Sequence, residues 1–260
     1  MRPLGLWLRS SWWLSPMMLL AFGSGLLRGS AWRWDWSWMF SLVTGSTLLA
    51  SPLLATAAVV VMLRSYPRGL LDLTSVTPRG GLIPFQAGAA LWLQAMLSYA
   101  LCLGVGAYWC QQYEADQRGL VLPWQLLTAP AALAAAVALG LLVGLLVRSP
   151  WAVPAVTVGL FLGHRPLYWT SLPELVTLTM ATGSMANAGF RPAPSHLAAT
   201  VAVNLLLALA ACALLHRFGH PSGARPRRWL VIAAALLAAL LVVMGWGWGD
   251  AYQPIPASPA

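Results

Sequence analysis

His216 and His220, in "HRFGHPSGARPRRW", have the four-residue spacing at which one helix face can hold a metal ion. Gly219 and Pro221 disrupt the helix such a site needs, and no carboxylate is near in sequence. A basic loop against anionic lipid or a partner is the stronger reading. Cys102, Cys110 and Cys212 lack CxxC spacing, and the first and last fall in apolar runs, so they read as packing residues. All 15 basic residues are arginine. Without a lysine, neither a phosphate-cradling P-loop nor a kinase pattern can be present. The 6 acids are scattered, and there is no G-x-S-x-G, no H-E-x-x-H and no pair of carboxylates inside an apolar run. The chain is therefore expected not to be an enzyme and to bind no catalytic group, metal or cofactor. Any ATP-driven work must be powered by another chain.

The elements that carry these residues are apolar. With 59% hydrophobic and 8% charged residues and a mean hydropathy of +0.72, the sequence is that of an integral membrane protein. A net charge of +9 does not point to nucleic acid, because the arginines form no soluble basic domain with interleaved aromatics. Seven apolar segments run near 11–27, 38–63, 82–108, 124–147, 150–169, 196–215 and 229–248, the fifth interrupted by His164, Arg165 and Pro166. The expected fold is all-α, a single transmembrane domain over 1–260 built as a polytopic bundle of six to seven helices. A leader peptide is the alternative for 1–27, but no clear small-residue cleavage site follows.

Sidedness follows from the arginines. With the N-terminus in the cytoplasm, 10 of them (Arg2, Arg9, Arg64, Arg68, Arg79, Arg148, Arg217, Arg225, Arg227 and Arg228) lie inside and 5 outside, as the positive-inside rule favours. If 150–169 did not cross, the cluster around Arg225 would face outward against that rule, so it is read as a span. Tryptophans gather at the segment ends, as an interfacial belt requires. Gly140–Gly144 and Gly159–Gly163 have the small-xxx-small spacing that lets helices approach closely. Gln94 and Asn204 are polar groups inside apolar runs that either bond between helices or face a path, with helix bonding the simpler role. Glu174 lies either in an ordinary wet loop or at an outer gate.

The stretch "RSYPRGLLDLTSVTPRGG", 64–81, is the polar loop after the second apolar segment. Leu70, Leu71, Leu73 and Val76 form an apolar stripe, with Arg68, Asp72 and Ser75 elsewhere on the turn and Pro78 stopping it. It reads either as an interfacial helix resting on headgroups or as a helix that docks a protein.

The order of parts resembles the permease subunit of ABC-2-type ABC transporters, especially an actinobacterial branch. The likeness rests on "RGLLDLTSVTPR", on "ALWLQAMLSYALCLGVGAYW" in the third segment, and on "LGLLVGLLVRSPWAVPAVTVGLFLG", with a tight turn at Arg148–Pro150. It covers roughly residues 1 to 215 in architecture more than in identity. The resemblance implies an N-terminal interfacial helix at about 1–13 and a cytoplasmic coupling helix at about 66–79. Its contact with the ATP-binding subunit would be made by Arg68, Leu70, Leu71, Asp72, Leu73, Val76 and Thr77. It further implies an outer re-entrant segment at about 171–185, which carries Glu174. The seventh segment, 229–248, departs from the usual six of that family.

The implied function is that of a permease subunit exporting an amphipathic or hydrophobic substrate across a bacterial plasma membrane, with Glu174, Asn204 and Gln94 as pathway or gate candidates. The implied partners are an ABC ATP-binding subunit that carries ATP and Mg, a second permease chain of the same or a different kind, and lipid. The alternative is a non-transporting scaffold or accessory subunit of a membrane complex.

Overall fold

The computed structural model describes residues 8–9, 11–27, 29–65, 83–117, 120–164, 190–219, 226–246 and 252–254. The chain is helical, with helices α1 (Leu14–Leu26), α2 (Trp36–Gly45), α3 (Thr47–Ser65), α4 (Ile83–Gln112), α5 (Trp124–Val147), α6 (Ala152–His164), α7 (Pro194–Gly219) and α8 (Pro226–Trp246). Each of the seven apolar segments overlaps helix, with 82, 165–169 and 247–248 lying outside the described residues. One short antiparallel pair, β1 (Phe190–Pro192) with β2 (Tyr252–Pro254), is an addition that the apolar pattern does not signal. Among the described residues four stretches, 36–64, 83–112, 124–147 and 194–218, are long and apolar enough to cross a membrane, and Leu14–Leu26, Ala152–Phe161 and Leu230–Leu240 are shorter apolar helices. The chain is thus a multi-pass membrane protein. The segment expected at 38–63 is broken at Ser46 into α2 and α3. The expected helix at 66–79 and re-entrant segment at 171–185 lie outside the described residues, as does most of 1–13, of which residues 8–9 are helical.

Helix α5 is the hub. Some 67% of its apolar window is buried, against 44% for α4 and α7, and it packs on α3, α4 and α7. Between lipid-bathed helices there is no hydrophobic drive, so close van der Waals fit decides which faces meet. A Cβ on Gly140 would run into the carbonyl oxygen of Ala55 and come within 2.8 Å of the Ala58 Cβ. One on Gly144 would lie 2.7 Å from the Met62 Cβ and 3.2 Å from the Val59 Cα. Those neighbours are backbone or backbone-attached atoms with little room to yield. The pair is a helix-packing seam, whereas Gly159 faces open space.

The contacts also fix direction. Gly140 meets Ala55 while Gly144 meets Val59, and Gln125 reaches Ser37, so α5 runs parallel to the α2–α3 rod. Helix α1 runs parallel to α4, since Gln94, Ser98 and Cys102 pair in order with Ser11, Ser15 and Leu19. Helix α7 is parallel to α5, with Ala135 beside Val203 and Leu142 beside Ala211. Helix α6 packs on α3, Thr157 meeting Thr56. Because β1 and β2 pair, the start of α7 and the segment after α8 sit at one end. Helices α1, α4 and α8 therefore run opposite to the α2–α3 rod, α5 and α7. The chain between Val147, where α5 ends, and Pro194, where α7 begins, must traverse the bundle from one end to the other. One end gathers Arg64, Arg148, Arg217 and Arg228; the opposite end holds Arg33.

The turn out of α5 is equally tight. Arg148 adopts a left-handed conformation (φ 45°, ψ 33°) that stops the helix, and its Nε donates to the Leu145 carbonyl at 3.0 Å. The backbone resumes helix within a few residues, as the Ala152 amide bonds to the Ser149 carbonyl at 2.9 Å.

Replacing Gly144 by leucine is expected to destabilise the bundle by about 1–3 kcal/mol through overpacking. Gly159→Leu should leave the thermal transition in detergent unchanged, and equal shifts for the two variants would contradict the seam.

Candidate functional site

A groove of about 420 Å³ opens between α1, α3 and α6, at the level where α3 is interrupted by Pro52. A proline inside a helix has no amide to donate and pushes back the carbonyl four residues earlier, so the helix surface is uneven there. Thr56 bonds back along its own helix, its Oγ1 donating to the Pro52 carbonyl at 2.7 Å, and it meets the Thr157 hydroxyl across the α3–α6 contact. Thr157 Oγ1 in turn bonds the Val153 carbonyl at 2.8 Å. The groove wall is otherwise apolar: Met17 and Leu20 from α1, Leu49 and Leu53 from α3, and Phe161 from α6 are the bulky members. Its single hydroxyl is already engaged, so the surface offers shape and hydrocarbon rather than a directed polar contact.

The two described gate candidates do not line this groove. Gln94 is buried on the α4 face that meets α1, where its Nε2 donates to the Leu8 carbonyl at 2.9 Å and to Ser11 Oγ at 3.0 Å. Ser98 continues the row by donating to the Ser15 carbonyl at 3.4 Å, and the Cys102 thiol approaches the Leu19 carbonyl at 3.9 Å. Residues 94, 98 and 102 are spaced by four, so they fall on one stripe of α4 and rivet it along α1. The Oε1 of Gln94 and the hydroxyl of Tyr99 are buried without a hydrogen-bond partner among the described residues. Asn204 is fully buried in α7 and donates from Nδ2 to the Thr200 carbonyl at 2.9 Å. Gln94 thus bonds across to the segment leading into α1, whereas this bond of Asn204 stays within α7. Glu174 and the contact set Arg68, Leu70, Leu71, Asp72, Leu73, Val76 and Thr77 lie outside the described residues.

His216 stands in the last turn of α7, His220 lies outside the described residues, and no cluster of three metal-ligating side chains occurs among the described residues. The cysteines form no disulfide: Cys102 and Cys110 are buried and Cys212 is half-buried. The groove itself escaped the sequence reading. Pro52 followed by Thr56 was a visible signal of an irregular helix turn, but nothing local says that α6 closes over it.

Gln94→Leu removes two donated bonds and also one buried acceptor that has no partner, so its net cost should stay below about 1.7 kcal/mol, the upper range for interhelical bonds in membranes. Ser11→Ala with Gln94 intact should cost no more. A loss of folding on Gln94→Leu, read from monodispersity in detergent, would assign the row a larger part than bonding two helices.

Comparison with family models, with curated proteins and with solved structures finds no match for this chain.

Proposed function

We propose that this chain is the permease subunit of an ABC-2-type transporter in a bacterial plasma membrane, with its N-terminus in the cytoplasm, exporting an amphipathic or hydrophobic cargo. A separate ATP-binding subunit supplies the energy, and a second permease chain completes the pathway. The observation that carries the reading is the apolar groove between α1, α3 and α6, a concave hydrocarbon surface in a bundle with no cluster of metal-ligating side chains among the described residues. Such a surface accepts the apolar part of a cargo without demanding one chemical group, and it discriminates by shape.

Sidedness supports the same reading. The alternating helices bring Arg64, at the head of the 64–81 loop, to the same end as Arg148, Arg217 and Arg228. Under the positive-inside rule that end is cytoplasmic, where an ATPase would be met. The leucine stripe at 70–73 then acts as a handle: the partner moves it, and α3, α6 and the groove between them move with it as packed bodies. No covalent chemistry falls to this chain.

Replacing Leu70, Leu71 and Leu73 together by aspartate is expected to abolish co-purification of a cassette ATPase while the protein still inserts in the membrane. Unchanged association would contradict docking through 64–81, and the absence of any cassette ATPase from the wild-type complex would favour the scaffold reading.

A further inference from the structure

The end of the bundle away from the arginine cluster is stitched together around Arg33. After α1 the chain forms a 3-10 turn, Ala31–Trp34, anchored by Trp32, whose indole Nε1 donates to the Leu26 and Gly29 carbonyls at 2.9 and 2.8 Å. The following residues bond to the loop after α4: the Asp116 amide donates to the Trp34 carbonyl at 2.9 Å and the Trp36 amide to the Asp116 carbonyl at 3.1 Å. This places Arg33 over the last turn of α4. Its guanidinium carbon lies 4.9 Å from the Trp109 ring centre and 5.7 Å from those of Trp32 and Tyr113. Trp34 packs edge-on against Tyr113 at 4.7 Å and steadies that ring.

The cation has an aromatic seat but no anion among the described residues. The Arg33 guanidinium makes no ion pair or hydrogen bond with them, and its Nε is buried without a partner there. The described carboxylates at this end are otherwise placed: Asp35 caps α2 by accepting from the Trp38 amide at 3.1 Å, Asp116 is tied through its backbone, and Glu114 is exposed. Burial of Nε leaves the two Nη groups as the open edge of a half-exposed side chain. Around it stand Trp34, Tyr108 and Trp109, 59%, 57% and 37% exposed, the amphipathic rings that settle at headgroup depth. At that depth the abundant anion is a phosphodiester, and a guanidinium fork matches its oxygens in a bidentate pair.

We propose that Arg33, held among Trp109, Tyr113 and Trp32, is a binding site for the phosphate of one phospholipid headgroup in the leaflet at this end. The rings prepay part of the ordering of a flexible side chain, and the phosphate supplies the counter-charge that no described residue provides. Trp109 and Tyr113 act as positioning residues. The lipid's acyl chains would lie along the exposed face of α4 below, which carries Leu97, Leu101 and Val105.

Native mass spectrometry of the detergent-purified chain with added phosphatidylglycerol, or with digalactosyldiacylglycerol as a phosphate-free control, tests this directly. The wild type should keep one phosphatidylglycerol that the control lipid does not replace and that millimolar inorganic phosphate does not displace. Arg33→Gln should lower its occupancy at least fivefold, Trp109→Leu should lower it less, and Arg33→Lys should retain part of it. Equal retention of both lipids by the wild type would overturn the proposal without recourse to any variant. So would displacement by inorganic phosphate, or undiminished occupancy in Arg33→Gln with an unchanged thermal transition.

Discussion

Two bare patches of backbone on α5, at Gly140 and Gly144, lie directly on α3, and the rest of the bundle is arranged around that contact. Inside a bilayer, two helices gain nothing by hiding apolar surface from each other, since lipid is equally apolar. What they gain is atomic contact, and that grows steeply as the axes approach. The alanines of α5 (Ala129, Ala132, Ala135 and Ala136 among them) extend the same economy to its other faces, so a single helix can be close to α3, α4 and α7 at once.

The second pair of parallel helices is joined by other means. Along α1 and α4 the contacts are hydrogen bonds from Gln94, Ser98 and a thiol to the backbone carbonyls of Leu8, Ser15 and Leu19. Such bonds hold register but contribute little energy individually. The bundle thus combines one seam fixed by shape with another fixed by register. Helix α6 belongs to neither. It hangs on α3 through the Thr56–Thr157 contact and leaves much of its surface open, which is why the groove forms at its edge with α1. In the proposed transporter this is the place where a cargo can enter from the side without unpacking α5.

Much of this architecture was legible in the residues. Helix positions followed from the length of apolar runs, and the Arg148–Pro150 turn from its two polar residues and proline between two such runs. The Gly140–Gly144 spacing marked a seam, yet Gly159, which has the same spacing to Gly163, faces open space, because spacing says that a helix can be approached and not that anything approaches. Gln94 was visible as a polar residue in an apolar helix, but its partners are 83 and 86 residues away and no local pattern names them. The break at Ser46 within one hydrophobic run was equally hidden, since Ser46 is a mild helix residue whose role is set by Phe22 and Leu42 packed beside it. Arg33 entered the sequence reading only as one of the outer arginines; its aromatic seat is assembled from two loops and the end of α4.

The direction of packing is what gives the chain its two unlike ends, and it can be measured at the place where the rods begin. In a variant whose native cysteines are replaced by alanine, Ser37→Cys and Gln125→Cys are expected to be joined by a short bifunctional thiol cross-linker, because the native side chains at those positions meet at 3.4 Å. Cross-linking of Ser37→Cys with Leu145→Cys instead, and none with Gln125→Cys, would reverse α5 against α3 and contradict the account.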